Sequence, residues 1–353
     1  MPTKLSRRDF LRLAAGSAAA ISMSGFLAPF IKEAVAAGEA PAVIWLQGAS
    51  CTGCSVSLLN TVHPTIQDVL LNVISLHYHP NISAGCGEIV MKEIETVSNN
   101  KNGFFLVVEG AVPTGIDGKF CTVGEKSKTE EWTFVDFVKT LGEKATGVIN
   151  VGTCSAFGGI PAAGSNPTDC VPVSDIVNNP TMINIPGCPP HPDWIVGTLA
   201  HVILYGKPPE LDTNNRPKMF YGGVIHDNCP RRQYFDNAIF AKNFSEPGCL
   251  LEIGCKGPIA HCDSTTRLWN GGVNWCVKSG APCLACTEPE FPWPVYERLP
   301  GVPLGPRINA TINEVGMVLA GATALGIGGH LVGNIATGRI GGHKEEEEKA
   351  GDV

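Results

Sequence analysis

Basic charge is scarce in this chain of 353 residues. Lys and Arg number 26 against 33 Asp and Glu, the net charge is −7, and no basic stripe gathers on any segment. Nucleic acid is therefore not an expected partner. No internal repeat recurs, which removes solenoids and propellers. Residues 206–300 show little hydrophobic periodicity and are rich in Pro, Gly, Cys and Trp. Such a stretch builds little core from regular elements and needs another source of order, which metal sites can supply. Apolar residues nonetheless make up 44% of the chain. That is enough for a sizeable core, and the length allows two domains or one domain with appendages.

Both ends carry apolar runs. Ser6-Arg7-Arg8-Asp9-Phe10-Leu11 is followed by an Ala-rich stretch from Leu13 to Phe30 and by Ala34-Val35-Ala36-Ala37. A charged region, an apolar region and small residues in that order make a signal peptide, and the paired arginines point to the twin-arginine route. That route exports folded proteins, which suits a protein loaded with metal beforehand. The leader holds five basic and two acidic residues, so its removal takes the net charge from −7 to −10. Val315 to Ala336 has no formal charge and a length that suits a bilayer span of about 20 residues. Gly329 and Gly333 form a face on which membrane helices approach closely. A membrane anchor is expected here; a Gly-rich helix packed on a partner protein is the alternative. With the body outside, Arg339 and Lys344 fall on the inner side, as the positive-inside rule prefers. His330, in mid-span, is a candidate haem ligand or a polar contact to a partner helix. The closing GGHKEEEEKAGDV is a solvated tail.

Between residues 41 and 205, strand-like and helix-like segments alternate. Ala42–Gln47, Val73–His79, Phe104–Glu109, Gly147–Val151 and Met182–Ile185 read as strands. Val56–Val62, Trp132–Leu141 and Pro192–Tyr205 read as helices. This alternation predicts a parallel sheet with helices on both faces.

The 14 cysteines first suggest disulfides in an exported chain. The chain is long enough not to need staples, however, and twin-arginine export implies folding in a reducing cytoplasm. Cys51 and Cys54, in CTGC, follow the strand ending at Gln47. Cys154 follows the strand ending at Val151, and Cys188 the strand ending at Ile185. All four lie beyond the carboxyl ends of predicted parallel strands, the edge where doubly wound sheets place ligands. Four thiolates there hold zinc or a 4Fe–4S cluster, while CTGC alone reads equally as a redox pair. His226, Cys229, Cys249 and Cys255 offer one imidazole and three thiolates, which zinc accepts and which also suits an iron–sulfur cluster with a His ligand. Cys262, Cys276, Cys283 and Cys286 make a third group of four. Cys86, Cys121 and Cys170 are left over and are expected to be buried small apolar residues. Zinc in all three groups would be structural; clusters in all three would make a wire. Residue types alone do not separate these readings.

The motifs VIWLQGASCTGCSVSLLN, YHPNISAGCGE, VVEGAVP, VGTCSAFGGIPAA, PGCPPHPDW, IHDNCPRR, GCLLEIGCKGP and CLACTEPEF resemble the small subunit of periplasmic nickel–iron uptake hydrogenases from about Ala42 to Trp293. The resemblance implies an α/β chain: a flavodoxin-like doubly wound parallel sheet, an irregular iron–sulfur domain and a C-terminal apolar helix. It divides the chain into a signal peptide (1–37), a flavodoxin-like domain (38–205), an iron–sulfur domain (206–300) and a linker, anchor helix and tail (301–353).

It also implies roles. Cys51, Cys54, Cys154 and Cys188 match the ligands of a proximal 4Fe–4S cluster. His226, Cys229, Cys249 and Cys255 match a distal 4Fe–4S cluster. Cys262, Cys283 and Cys286 match the medial cluster. The nickel–iron centre belongs to a large subunit, so no catalytic residue is expected here. This chain would pass electrons from H2 oxidation, a reversible reaction, to a cytochrome c or b or a quinone-linked membrane protein, on the periplasmic side of the cytoplasmic membrane. Many members have Pro where this chain has Cys276, and their medial cluster is 3Fe–4S. Cys276 can supply the missing ligand, so a medial 4Fe–4S cluster is expected, as in the nickel–iron–selenium branch. The spacing from Cys255 to Cys262 is short for the family, which makes His261 the nearest substitute for Cys262. Gly53 and Gly159 stand where oxygen-tolerant members carry extra cysteines. Glu109 is a candidate neighbour of the proximal cluster, and His191 and Arg231 are expected mainly to pack.

Overall fold

Five short runs rich in β-branched and apolar residues set the architecture. In a computed structural model, which describes residues 40–62, 64–127, 130–294, 302–305, 308–310, 312–337 and 339, they are β1 (Ala42–Gln47), β2 (Ser75–Tyr78), β3 (Phe105–Glu109), β4 (Gly147–Val151) and β5 (Met182–Ile185). All pair in parallel, in the order β2-β1-β3-β4-β5, the order of flavodoxin-like sheets. The expected signal peptide, the charged tail and Lys344 lie outside the described residues.

Alternation along the strands divides the core in two. Val43, Trp45, Val107, Ile149, Val151, Ile183 and Ile185 face one side, where they meet Leu58 of α1 (Gly53–Leu59) and Trp194, Ile195 and Leu199 of α5 (Pro192–Tyr205). Ile44, Leu46, Leu106, Val108, Val148 and Met182 face the other, against α2 (Glu88–Ser98) and α3 (Phe134–Lys144). Strands covered on both faces need no polar alternation, which is why they read as near-continuous apolar runs. Each large apolar side chain buried this way contributes about 1.5–3 kcal/mol.

The register carries the functional consequence. Gln47 pairs with Glu109, Glu109 with Val151, and Val151 with Ile185. Four strands therefore finish at one level, and the loops holding Cys51 and Cys54, Cys154 and Cys188 all leave from the same edge.

Two helices differ from the sequence expectation at both ends. Helix α1 is Gly53–Leu59, shifted three residues towards the N-terminus from Val56–Val62, and α3 runs to Lys144, past Leu141. Trp132 lies outside α3, in an unanticipated hairpin of Thr122–Ser127 and Glu130–Thr133. Its apolar signal comes from packing on Phe137, with ring centroids 5.7 Å apart, and from Lys126 placed 5.0 Å over its ring. Thr133 then caps α3, its hydroxyl accepting from the Asp136 N–H at 3.2 Å. At the start of α5, Nδ1 of His191 accepts from the Asp193 N–H at 3.1 Å, while its Nε2 bonds the Leu268 carbonyl at 2.8 Å. That is the packing role expected of His191.

Residues 206–294 hold only short helical turns, among them Ile225–Asn228, Arg232–Asp236 and Leu250–Ile253. Two things order them. Phe220, Tyr221, Ile225, Leu250, Trp275 and Ala285 continue the apolar core beside α5. Buried Arg216 reaches Asp212 at 2.7 Å and Glu288 at 3.0 Å, tying the start of this stretch to its end.

A separate unit begins at Leu299. In it, Val302–Gly305 pairs antiparallel with Ile308–Ala310, followed by α6 (Ile312–Ala336). Within α6, Gly316–Ala336 is long and apolar enough to cross a membrane, and its large apolar side chains, Met317 to Ile335, are exposed.

Candidate metal centres

The flush strand ends bring Cys51, Cys54, Cys154 and Cys188 together. Cys54 sits in the first turn of α1, and Cys154 in the first turn of α4 (Thr153–Phe157). Burial pushes Cys54 well above the ordinary thiol range, and Glu109, Cys154, Cys51 and Cys188 add to the effect. Cys154 is raised to about 11, by burial first and Cys188 second. Gly152 keeps space open here: its φ is +94°, and a Cβ on it would stand 2.5 Å from the Cys54 sulfur.

Glu109, at the end of β3, is 1% exposed. Its Oε1 accepts from Ser50 Oγ at 3.1 Å and from the Cys54 N–H at 3.1 Å. Its Oε2 accepts from Trp45 Nε1 at 3.2 Å, Gln47 Nε2 at 3.0 Å and Ser55 Oγ. His79 completes the network through its Nε2, 3.0 Å from Ser55 Oγ. The carboxylate thus ties the CTGC loop to β1 and β3.

A second group lines a pocket: His226, Cys229, Cys249 and Cys255, with Arg231, Leu250, Leu251 and Gly257 beside them. Burial lowers the pKa of His226, with Arg232 adding to it, and this favours the neutral imidazole a metal needs. Its ring meets Phe235 edge-on at 4.5 Å. Arg231 donates to the Gly248 carbonyl at 2.8 Å, bracing the loop that carries Cys249.

The third group is Cys262, Cys276, Cys283 and Cys286. Cys286 is raised to about 12 by burial and then by Cys276. Burial raises Cys262, and Cys286 adds to it; burial also raises Cys283, with Cys255 first and then Cys286 and Cys262 adding to it. His261, by contrast, pairs with Glu288, Nδ1 to Oε1 at 3.3 Å, and is 39% exposed on its side chain. Cys262, and not His261, stands with the other thiols.

The three groups adjoin. The Cys188 backbone partly offsets the rise of the Cys286 thiol, and the Cys283 N–H donates to the Cys255 sulfur at 3.3 Å. The Lys256 N–H donates to the Cys283 carbonyl at 2.8 Å, with the buried Lys256 side chain bonding the Gly254 carbonyl.

Does this donor set fit iron–sulfur clusters? All fourteen cysteines are free thiols, which removes the disulfide reading. Burial and mutual repulsion make unaided thiolates costly, so the set suits a cationic iron core. Backbone amides are aimed at the sulfurs: Cys283 at Cys255, Ser264 at Cys262 and Ala285 at Cys283. Such hydrogen bonds tune cluster potentials. Among the described residues, no three His, Cys, Asp or Glu side chains crowd closely enough to hold a single ion. A tetrahedral zinc requires that crowding; a multi-iron cluster spreads its thiolates over several metals. The residues fit clusters.

The leftover cysteines divide. Cys170 is buried and Cys121 half-buried, but Cys86 is exposed, contrary to expectation. It lies in the Gly-rich loop before α2, among residues that are themselves exposed. Sequence reading missed Thr153, Arg216 and Lys256. Only Thr153 carried a signal, its position beside Cys154.

Two family models match in succession. The first is "NADH ubiquinone oxidoreductase, 20 Kd subunit", over residues 51–202. The second is the C-terminal region of the "NiFe/NiFeSe hydrogenase small subunit", over residues 221–296. The chain is 46% identical over 304 residues to the periplasmic [NiFeSe] hydrogenase small subunit of Desulfomicrobium baculatum, covering 82% of this chain and 96% of that one. It is 36% identical over 343 residues to the quinone-reactive Ni/Fe-hydrogenase small chain of Wolinella succinogenes, covering 93% and 95%. The solved structure of the reduced, active Ni-Fe-Se hydrogenase from Desulfomicrobium baculatum superposes with a TM-score of 0.71 at 45% identity, over 74% of this chain and 100% of that one.

Proposed function

Because this chain belongs to the NiFe/NiFeSe hydrogenase small-subunit family and so works with a hydrogenase large subunit, we propose that it holds three iron–sulfur clusters as an electron relay. The clusters, when bound, supply one-electron carriers; everything else is done by this chain's side chains and amides. Cys51, Cys54, Cys154 and Cys188 hold the proximal cluster, Cys262, Cys276, Cys283 and Cys286 the medial, and His226, Cys229, Cys249 and Cys255 the distal. H2 is split, reversibly, in the large subunit.

The observation that carries this reading is continuity: Thr153, beside Cys154, donates to the Cys286 carbonyl and the Cys283 N–H donates to the Cys255 sulfur, so each group is joined to the next. Cys276 completes the medial set, giving a four-iron rather than a three-iron site. Glu109 holds the proximal loop through the Cys54 amide. The amides aimed at sulfur, such as those of Cys283 at Cys255 and Ala285 at Cys283, stabilise added negative charge.

The chain is exported by the twin-arginine route and held at the periplasmic face by residues 315–336. A quinone-linked or cytochrome partner takes the electrons; the likeness to a quinone-reactive relative over 93% of the chain supports this, as does the exposed apolar α6. EPR during redox titration of the purified complex tests the proposal. Three separately titrating cluster signals are expected. A stoichiometric oxidised three-iron signal would overturn the Cys276 assignment, and fewer than three clusters would overturn the relay.

A further inference from the structure

We propose that Thr153 is a positioning residue that locks the proximal thiols against the medial ones and so sets the electron hand-off between these two sites. This rests on the relay reading above.

Thr153 is 1% exposed and immediately precedes Cys154. Its own N–H donates to the Gly187 carbonyl at 3.1 Å. Its Oγ1 accepts from the Gly187 N–H at 2.8 Å and donates to the Cys286 carbonyl. A threonine hydroxyl has one proton. With Gly187 supplying a donor, that proton goes to Cys286, and the rotor is fixed. Gly187 is joined by one peptide bond to Cys188. One buried hydroxyl therefore binds the peptides of Cys154 and Cys188, on the proximal side, to that of Cys286, on the medial side.

The seam between the medial and distal groups is built differently. There the Cys283 N–H meets the Cys255 sulfur at 3.3 Å and the Lys256 N–H meets the Cys283 carbonyl at 2.8 Å. Both bonds are backbone to ligand and survive any substitution of a side chain outside the ligand set. The first seam depends on a side chain, so it can be loosened selectively. Replacing the hydroxyl by a methyl leaves the Gly187 N–H and the Cys286 carbonyl buried without this partner. Groups of this kind orient metal ligands, and their loss costs about 10–100-fold in function.

The test uses the purified hydrogenase complex with Thr153→Val, Thr153→Ala and Thr153→Ser. Three readouts are taken: iron and sulfide content, the magnetic splitting between proximal and medial signals in the reduced protein, and freeze-quench timing of each signal after mixing with H2. Thr153→Val is expected to bind its full complement of clusters, show a changed proximal–medial splitting and slow medial reduction about tenfold, with medial-to-distal transfer unchanged. Thr153→Ser is expected to match wild type. Thr153→Ala carries the same expectation as Thr153→Val should the latter fail to accumulate. Wild-type splitting and timing in Thr153→Val would overturn the proposal. Cluster loss in both Val and Ala variants, with Ser intact, would also overturn it, in favour of a purely structural role. Absence of cluster signals from wild type would overturn the relay reading itself, a result that does not depend on Thr153.

Discussion

The sheet of residues 42–205 and the irregular stretch of 206–294 share the apolar core on the α5 side of the sheet yet are held by different physics. In the sheet, strands covered on both faces bury residues such as Leu106, Val107 and Ile149 almost completely. Order there comes from apolar area and backbone pairing. In the irregular stretch the elements are single turns, and much of the order comes from buried polar groups: Arg216 between Asp212 and Glu288, Lys256 against backbone carbonyls, and amides aimed at cysteine sulfur. The thiols of this stretch are raised by burial and by one another, a cost that bound metal would relieve. One region is therefore expected to fold without metal, and the other to need it.

The largest expected effect comes from removing iron. Hydrogen exchange on chelated protein should show amides of β1, β3 and β4 still protected, while protection across 223–290 falls at least about a hundredfold. Equal loss in both regions would erase the contrast.

Next come two substitutions of similar cost and different consequence. Leu106→Ala should lower stability by about 2–5 kcal/mol and leave the cluster spectra as they are. Arg216→Met should cost about 3–5 kcal/mol, because Glu288 stays buried and Asp212 half-buried without their cation, and should also disturb the medial signal, since Glu288 lies two residues past Cys286. Calorimetry paired with EPR separates them; identical spectra would mean that the polar network does not support the medial site.

A smaller change in stability, but a clear one in spectrum, is expected from Cys276→Pro. The medial signal should convert from the four-iron to the three-iron type, and an unchanged signal would show that Cys276 is not a ligand.

The smallest effect concerns pH. Burial holds His79 below the ordinary histidine value, despite the opposing pull of Glu109, and holds His191 there too. As pH falls, the unfolded chain takes up these protons first. Their contribution is complete above about 6.5 and is lost as pH drops below it. Denaturant midpoints at pH 7.5 and 5.5 should differ less in His79→Gln than in wild type; an equal difference would remove His79 from the account.

Much of this was legible in the sequence. Runs such as AVIWLQ and FLVVE have one reading as buried parallel strands, and once the strands were placed, so were the proximal thiols just beyond them. Trp132 misled because a side chain packed on a helix carries the same periodic signal as one inside it. Cys86 misled because cysteine is usually buried, and nothing in SAGCGE says otherwise. The polar network of the irregular stretch was not legible: Arg216 and Glu288 are 72 positions apart, and no local pattern announces a pair at that separation. Thr153 lay in view beside Cys154, but its role depends on Gly187 and Cys286, brought near only by the sheet edge.

The central claim is that three groups of four ligands hold three iron–sulfur clusters. Its most direct test is iron and acid-labile sulfide analysis of the purified complex, alongside zinc. The account predicts a brown protein with about 12 cluster irons and as many sulfides per chain. A colourless protein containing zinc and no sulfide would contradict it.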